Sequence, residues 1–358
     1  MISSTNRSII TEADTPEKYH ALRSLWCSVF GDEPDYVDAM FDCFGEEIKG
    51  YIVVSDSGGS AGGIGSTDGI VSTDSGSGEV RALSALVCYR CGELTISDLD
   101  MEEVCGKTVY VSYAVCTDPD YRGRGLAGQL TSHIRDIVTD AGGLSIVSPA
   151  EESLQDFYSE LGYRPFFYAS EALVYADEAL SPVFADAGSD YFDDLPDLSE
   201  TADPPVIEEL WPDDDSEPFE PALDVKELDA AAYNRYREAF LMDEPHIVLS
   251  ERMMEFVKLD SHNRCGLFAI NGGDAICAVR YIGGGRLILS ELIVNPMLAE
   301  ISAEIGSEIA GRLAKHFGAR AAEYREPGMR YCQSMLAGRL ARSEAGMPRA
   351  AYFGFPLD

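Results

Sequence analysis

The chain has 358 residues, with 62 acidic against 27 basic side chains and a formal net charge of −35 at pH 7. That length suits two domains, and 46% hydrophobic residues with 10% aromatics are enough for packed cores. The charge excludes a generic nucleic-acid binder, which needs a basic footprint on phosphate, and disfavours an anionic membrane surface.

Met1 to Glu12 shows no basic, then apolar, then small-residue order, and no apolar run approaches the roughly 20 residues that span a bilayer. Nine cysteines, an odd number without regular spacing, read as free thiols in a reducing compartment and point to the cytoplasm.

Thr15 followed by Pro16 is an N-cap with Pro in the first helical position. Tyr19, Leu22, Leu25, Trp26, Val29 and Phe30 then recur at helical spacing up to Gly31, and Tyr36, Val37, Met40, Phe41 and Phe44 give a second helix. Tyr51 to Ser55 reads as a strand. The stretch 57–79, with eight Gly and six Ser in 23 residues, reads as a flexible insertion. Strands are expected at Val80 to Tyr89 and Thr108 to Thr117. The latter should set Val109, Val111, Tyr113 and Val115 on one face and Tyr110, Ser112, Ala114 and Cys116 on the other, both mostly apolar, as in a central strand.

A glycine-rich turn leads into a helix with Leu126, Ala127, Leu130, Ile134, Ile137, Val138 and Ala141 on one stripe, ended by Gly142-Gly143. Leu144 to Val147 is a short strand. Ser148-Pro149-Ala150-Glu151 has the form of a capping box. The helix it opens carries Leu154, Phe157, Tyr158 and Leu161 and closes at Gly162; Tyr163 to Tyr175 is the last strand of this half.

Residues 177–229 hold 19 acidic residues, one basic residue and seven of the 17 prolines, and read as an extended acidic connector. From residue 230 the order repeats. Helices are expected at Ala230–Leu241 and Ser250–Leu259, and strands at Cys265–Asn271, Ala275–Tyr281 and Leu287–Val294. A long helix follows with Ile301, Ile305, Ile309, Leu313 and Phe317 four apart, then final strands including Ala350 to Phe355.

The segment that carries chemistry is Val115 to Ala127. A strand ends, a turn follows, and a helix opens on Gly123 and Gly125. Such a helix start offers unpaired N–H groups and the positive end of the helix dipole, which together suit pyrophosphate. A side chain at either glycine would obstruct the phosphates, and Arg122 and Arg124 add positive charge to an acidic half. Cys88-Tyr89-Arg90-Cys91 has no matching second pair and His20, His133, His246, His262 and His316 form no cluster, so no metal is expected.

The form Arg-x-x-Gly-x-Ala at Arg122 to Ala127, between a buried strand and an amphipathic helix, precedes a helix with Phe157-Tyr158 and then Gly162-Tyr163. From Ile9 to Tyr175 the chain resembles the GNAT superfamily of N-acetyltransferases. The resemblance implies an α/β (α+β) fold with a mixed, largely antiparallel central sheet flanked by helices, and acetyl-CoA as cosubstrate. It implies CoA phosphates on Arg122, Gly123, Arg124, Gly125, Leu126 and Ala127, and a pantetheine arm along the backbone of Val115, Cys116 and Thr117. It makes Tyr158 the acid that protonates the leaving thiolate.

Two positions depart from the pattern. Glu151 stands where many members have Asn, and Val109, Tyr110 and Val111 carry no carboxylate to act as base. The base is therefore a water, a backbone carbonyl or a carboxylate from elsewhere, including the C-terminal carboxylate at Asp358. The whole chain resembles tandem members of the superfamily, such as mycobacterial enhanced-intracellular-survival-type acetyltransferases and N-myristoyltransferases. That implies an active domain at 1–176 and a degenerate one at 230–358. In the latter, Val294-Asn295-Pro296 replaces the glycine turn, and Glu300, Glu304 and Glu308 disfavour a pyrophosphate. The expected activity is acetyl transfer to a primary amine, small or peptidic and cationic given the acidic surplus. A CoA-binding sensor or scaffold is the second reading.

Overall fold

The computed structural model describes residues 7–56, 80–95, 106–176, 223–259, 265–299, 304–338 and 351–354. The expected insertion 57–79, most of the acidic connector, Cys105, His262, Glu300, Ile301 and the chain end at Asp358 lie outside the described residues.

Thr15 caps the first helix as its sequence requires: its Oγ1 accepts the Lys18 N–H at 3.4 Å, and Gly31 closes the helix at φ +81°. The first half runs β1 (Arg7–Glu12), α1 (Pro16–Phe30), α2 (Pro34–Phe44), β2 (Ile48–Asp56), β3 (Ser84–Thr95), β4 (Thr108–Thr117), α3 (Leu126–Asp140), β5 (Leu144–Val147), α4 (Ser153–Glu160) and β6 (Arg164–Tyr175). The second runs β7 (Val225–Glu227), α5 (Ala230–Phe240), β8 (His246–Leu249), α6 (Glu251–Leu259), β9 (Gly266–Ile270) and β10 (Ala275–Gly283). It continues with β11 (Arg286–Val294), α7 (Pro296–Ala299), α8 (Ile305–Phe317), β12 (Ala321–Pro327) and β13 (Tyr331–Ala337).

This is the expected mixed α/β architecture, but the strands of both halves join one 13-stranded sheet. Its order is β1-β2-β3-β4-β5-β13-β6-β12-β11-β10-β9-β7, with β8 on β3. The halves exchange their last strands. β13 pairs with β5 and β6, while β6 continues past β13 to pair with β12. Each half also contains one parallel pair, β4 with β5 and β11 with β12, bridged by α3 and α8 respectively.

Successive residues of a strand point to opposite faces, and this divides the core. One face packs α1, α2, α5 and α6 in a single cluster that runs from Leu22 and Trp26 through Val87 and Val109 to Phe256, Ile276 and Phe353. The other face carries α3 over β2 and β3, α4 over the end of β5, and α8 over β11 and β12.

A buried ion pair ties the chain's last described residues into the first of these faces. Arg237 of α5 donates from Nε to Glu291 Oε1 at 3.2 Å, from Nη1 to the Ile247 carbonyl at 2.6 Å and from Nη2 to the Phe353 carbonyl at 2.8 Å. Tyr233 Oη donates to Glu291 Oε2 at 2.8 Å. These hydrogen bonds offset the cost of taking both charges out of water.

Several sequence expectations change: the strand expected from Val80 starts at Ser84 and runs to Thr95, and Ala141 is the exposed C-cap of α3 and no part of its buried stripe. Ser148 opens no helix, because its Oγ lies 2.7 Å from Ser334 Oγ of β13, and α4 starts five residues later without a side-chain cap. Ile137 leaves the buried stripe of α3 and is 44% exposed. Val225 to Glu227, assigned to the connector, is a strand paired with β9. The alternation of β4 holds only to Tyr113. Ala114 has φ +52°, a bulge forms against β3, and Ala114 and Cys116 turn into the cluster that holds Val109 and Val111, while Val115 packs on the α3 side with Tyr110.

Candidate active site

The bulge redirects β4 just where β4 and β5 part. Their last paired residues are Val111 and Ile146, so the edge of β4 from Ser112 to Thr117 has no strand partner on the β5 side. The ends of β4 and of β5 at Val147 thus leave a gap in the pairing, and this gap is the β4–β5 cleft.

The turn after β4 is held by its own side chains. The Asp118 N–H donates to the Leu83 carbonyl at 3.0 Å, and Asp118 Oδ1 accepts the Asp120 N–H at 3.0 Å. Arg81 Nη2 donates to Asp118 Oδ2 at 2.7 Å, and this hydrogen bond holds the Asp118 carboxyl below the usual carboxylate range. Arg122 Nε donates to the Thr117 carbonyl at 3.2 Å and Arg124 Nη2 to the Asp120 carbonyl at 3.1 Å. The Tyr121 ring is flanked by the Arg124 and Arg81 guanidinium groups, 4.7 and 5.3 Å from its centroid. Arg81 is a third basic group at this turn. It lies far upstream in sequence, beside the Gly/Ser-rich stretch, and no motif marks it.

Gly123 and Gly125 both have φ +74°, a backbone that a β-carbon disfavours. Gly125 is the N-cap of α3 and supplies no side-chain acceptor, and no acidic residue stands in the first turn. The N–H groups of that turn are thus left for an external acceptor. A β-carbon placed on Gly123 meets nothing within 4 Å. Open space in front of a helix N-terminus, with the exposed Arg122 and Arg124 in the turn that leads into it, fits a pyrophosphate, while Arg81 is paired with Asp118 and lies 4.0 Å from Asp120.

Leu126 is buried and Ala127 half-buried, anchoring the helix start, while Arg122, Gly123, Arg124 and Gly125 are exposed. Val115 and Thr117 are half-buried, and Cys116 turns inward, where burial pushes its thiol up to about 12. Cys116 therefore offers the cleft its backbone and no thiolate. Cys88 and Cys91 point to opposite faces of the sheet, one toward α3 and the other into the large cluster, so they share no ligand.

Tyr158 stands on the β5 side. It is 7% exposed and packs with Val147, Tyr163, Met335 and Ala337. Burial pushes its phenol up to about 12, and its hydroxyl makes no hydrogen bond among the described residues. Gly128 brings this helix to the turn: its β-carbon position lies 3.6 Å from Phe157 and from Leu161 of the α4 segment. No motif marks Gly128 in the sequence, although small residues at helix crossings are a usual signal. Glu151 is exposed and accepts from Ser153 Oγ at 3.0 Å.

On the far face, Trp26, Tyr36 and Tyr113 form an aromatic cluster of the core beside the bulge, with Trp26 fully buried, Trp26 to Tyr113 at 5.4 Å and Trp26 to Tyr36 at 6.4 Å. Trp26 Nε1 donates to Asp32 Oδ2 at 2.7 Å. These residues read in sequence only as helix and strand core.

No protein-family model matches the chain, and no curated protein matches it in sequence. Solved structures do match in fold. A conserved protein of unknown function from Enterococcus faecalis V583, described as a probable N-acyltransferase, superposes at TM-score 0.57 and 10% identity over 92% of this chain and 72% of its own. A GCN5-related N-acetyltransferase from Anabaena variabilis ATCC 29413 gives 0.55 and 11%, with 92% and 72% covered. One from Kribbella flavida gives 0.53 and 14%, with 93% and 71% covered. The chain has the GCN5-related N-acetyltransferase fold.

Within that fold, the glycine turn and α3 lie at one side of the β4–β5 cleft and Tyr158 at the other. Among the described residues, the second half shows no counterpart of the turn. After β11, Asn295 Oδ1 accepts the Met297 N–H at 3.1 Å to start the one-turn α7, and α8 opens on Glu304 with Glu308 in its first turn. No helix among the described residues is long and apolar enough to cross a membrane.

Proposed function

We propose that this protein is an N-acetyltransferase that moves an acetyl group from acetyl-CoA to a primary amine by direct attack in a ternary complex. The observation that carries the reading is the Gly123–Gly125 turn, with its open approach and unpaired N–H groups, at the mouth of a cleft where β4 leaves β5. The fold neighbours, described as N-acetyltransferases or a probable N-acyltransferase, support it.

In this reading Arg122, Arg124 and the N–H groups from Gly123 to Ala127 hold the CoA phosphates, and Arg81 reinforces them. The unpaired edge of β4 at Val115, Cys116 and Thr117 takes the pantetheine amides. The thioester then lies in the cleft, and the amine reaches its carbonyl carbon from the side opposite α3. Holding both reactants in one cleft supplies much of the acceleration. The carbonyl oxygen gains charge as the C–N bond forms, and backbone donors of β4 stabilise it. The attacking nitrogen gives a proton to a base (a water, a backbone carbonyl or a carboxylate from elsewhere), the carbonyl re-forms as the C–S bond breaks, and Tyr158 gives its proton to the departing thiolate. A phenol raised to about 12 remains protonated for that role at neutral pH.

The halves are read as a tandem pair in which 1–176 is the catalytic domain and the second domain binds no CoA. The net charge of −35 favours a cationic amine as acceptor, and eight free thiols among the described residues fit a cytoplasmic setting. The test is release of CoA thiol from acetyl-CoA over a panel of amines. Turnover with at least one amine supports the transferase. Tight acetyl-CoA binding without turnover on any amine replaces it with a sensor, a reading to which the apolar Val109–Val111 stretch lends weight.

A further inference from the structure

Ser112 carries a buried hydroxyl that the fold itself does not use. It is 4% exposed, and its Oγ has no hydrogen-bond partner among the described residues. A hydroxyl that has left water without gaining a partner calls for a physical reason. Its place in the sheet supplies one. The parallel pairing of β4 with β5 ends at Val111 and Ile146, so Ser112 and Val147 are the first residues on either side of the gap. Val109 and Val111 pack on the side of α1. Cys88, the β3 partner of Ser112, packs under α3. Alternation therefore turns the Ser112 side chain to the α3 face. Val147 packs with Tyr158 and Tyr163 on that same face.

Two more hydroxyls stand behind Ser112. Tyr163 is buried, and its Oη lies 2.8 Å from Oγ of Ser145, which is buried in β5. Burial raises the Tyr163 phenol, and Ser145 and then Ser112 pull against that rise, so the Ser112 hydroxyl borders the Tyr163 hydroxyl. Tyr163 is also tied to Tyr158. Its N–H donates to the Tyr158 carbonyl at 3.1 Å, and the two rings meet edge to face at 6.0 Å. Ser112 thus stands at the end of the cleft where the strand pairing stops, on the side of Tyr158.

We propose that Ser112 is a catalytic hydroxyl that donates a hydrogen bond to the thioester sulfur, with Tyr163 and Ser145 as positioning residues behind it. The proposal rests on the acetyl-transfer reading and adds a group to its site. Ser145 Oγ–H donates to Tyr163 Oη, the Tyr163 proton turns to Ser112 Oγ, and Ser112 Oγ–H is left for the cleft. Each donor in such a row strengthens the next. As the C–S bond breaks, its electron pair goes to sulfur. Ser112 stabilises that charge and keeps its own proton, while Tyr158 supplies the proton that sulfur takes up.

The test uses the full chain, with Ser112→Ala, Tyr163→Phe and the double variant. Calorimetry gives acetyl-CoA affinity, thiol release gives kcat, and ultraviolet thiolate absorbance against protein alone follows the pH titration of the bound CoA thiol. Ser112→Ala removes no hydrogen bond from the fold, so it should keep its melting temperature and bind acetyl-CoA within about twofold of wild type. Its kcat should fall about tenfold or more, as for a lost bond to a charged group. Its bound CoA thiol should ionise at higher pH than in wild type, because the thiolate has lost a donor. Tyr163→Phe should shift both readouts the same way by less, and should add nothing to Ser112→Ala, since the two act as one row. A chain that binds no acetyl-CoA overturns the acetyl-transfer reading and this proposal together. A chain that binds acetyl-CoA, with a thiol titration unchanged in Ser112→Ala, overturns this proposal alone, whether or not any amine turns over. Additive losses of kcat in the double variant overturn the role given to Tyr163.

Discussion

Replacing Gly123 by Ala separates the conformational role of the turn from its binding role. The residue sits at φ +74°, where an alanine costs on the order of 1–2 kcal/mol, partly offset by a stiffer unfolded chain. No atom lies within 4 Å of the new β-carbon, so no clash adds to this. Gly31 is the matched control: φ +81°, again nothing within 4 Å, and placed at the end of α1 away from the turn. Gly31→Ala and Gly123→Ala should therefore lose nearly the same stability, about 1 kcal/mol each, seen as a melting shift of no more than about 3 °C. They should differ in ligand binding. In Gly123→Ala the β-carbon occupies the approach to the N–H groups of α3. Losing one charge-assisted hydrogen bond is worth about 1.5–3 kcal/mol, or roughly ten- to hundredfold in Kd for acetyl-CoA. Calorimetry on both variants decides the matter. Equal acetyl-CoA affinity in the two alanine variants would refute the assignment of the phosphates to this turn.

Tyr158→Phe should lower kcat by about a hundredfold or more and leave KM for acetyl-CoA and thermal stability near wild type, because the hydroxyl has no partner among the described residues to lose; an unchanged kcat removes Tyr158 from the mechanism. Arg237→Met should destabilise the fold by about 3–5 kcal/mol in urea unfolding, since it leaves Glu291 buried without its cation and releases the Ile247 and Phe353 carbonyls. Residues 1–176 expressed alone should not give a folded acetyl-CoA binder by circular dichroism and calorimetry, because β13 fills the sheet between β5 and β6 and α6 completes the core. Glu326 packs against the start of α8, 3.0 Å from where a Gly306 β-carbon would stand, and burial raises its carboxyl to about 7. The folded state thus holds a proton that the unfolded chain has lost, so this group makes stability fall as pH rises from about 4.5 to about 7. Glu326→Gln should flatten that slope and raise stability above neutral pH, as measured by melting temperature against pH.

The local signals carried far in the first half. Thr15-Pro16, the helix stops at Gly31 and Gly162, the strand Leu144–Val147 and the limits of β4 all follow from capping chemistry and hydrophobic period. The glycine turn was legible because its φ values and its open space have a direct residue signature. What the sequence hid is set by distant partners. Ser148 looks like a helix cap until β13 places Ser334 against it. The bulge at Ala114 has no local mark, since alanine rarely adopts positive φ, yet it turns β4 toward the cleft. β12 interleaves Glu323 and Arg325 with Ala322 and Tyr324, a polar alternation that reads poorly as a buried strand because one of its faces lines a charged cavity. The exchange of β6 and β13 is a matter of topology and leaves no trace in either segment. Arg81 joins the turn only once the strands are paired.

The central claim, that the β4–α3 turn of the first half is an acetyl-CoA site, is tested most directly by equilibrium titration of the whole chain with acetyl-CoA. The account predicts saturable binding at one site per chain, abolished or strongly weakened by Gly123→Ala and untouched by Gly31→Ala. No binding, or two equivalent sites per chain, would contradict it.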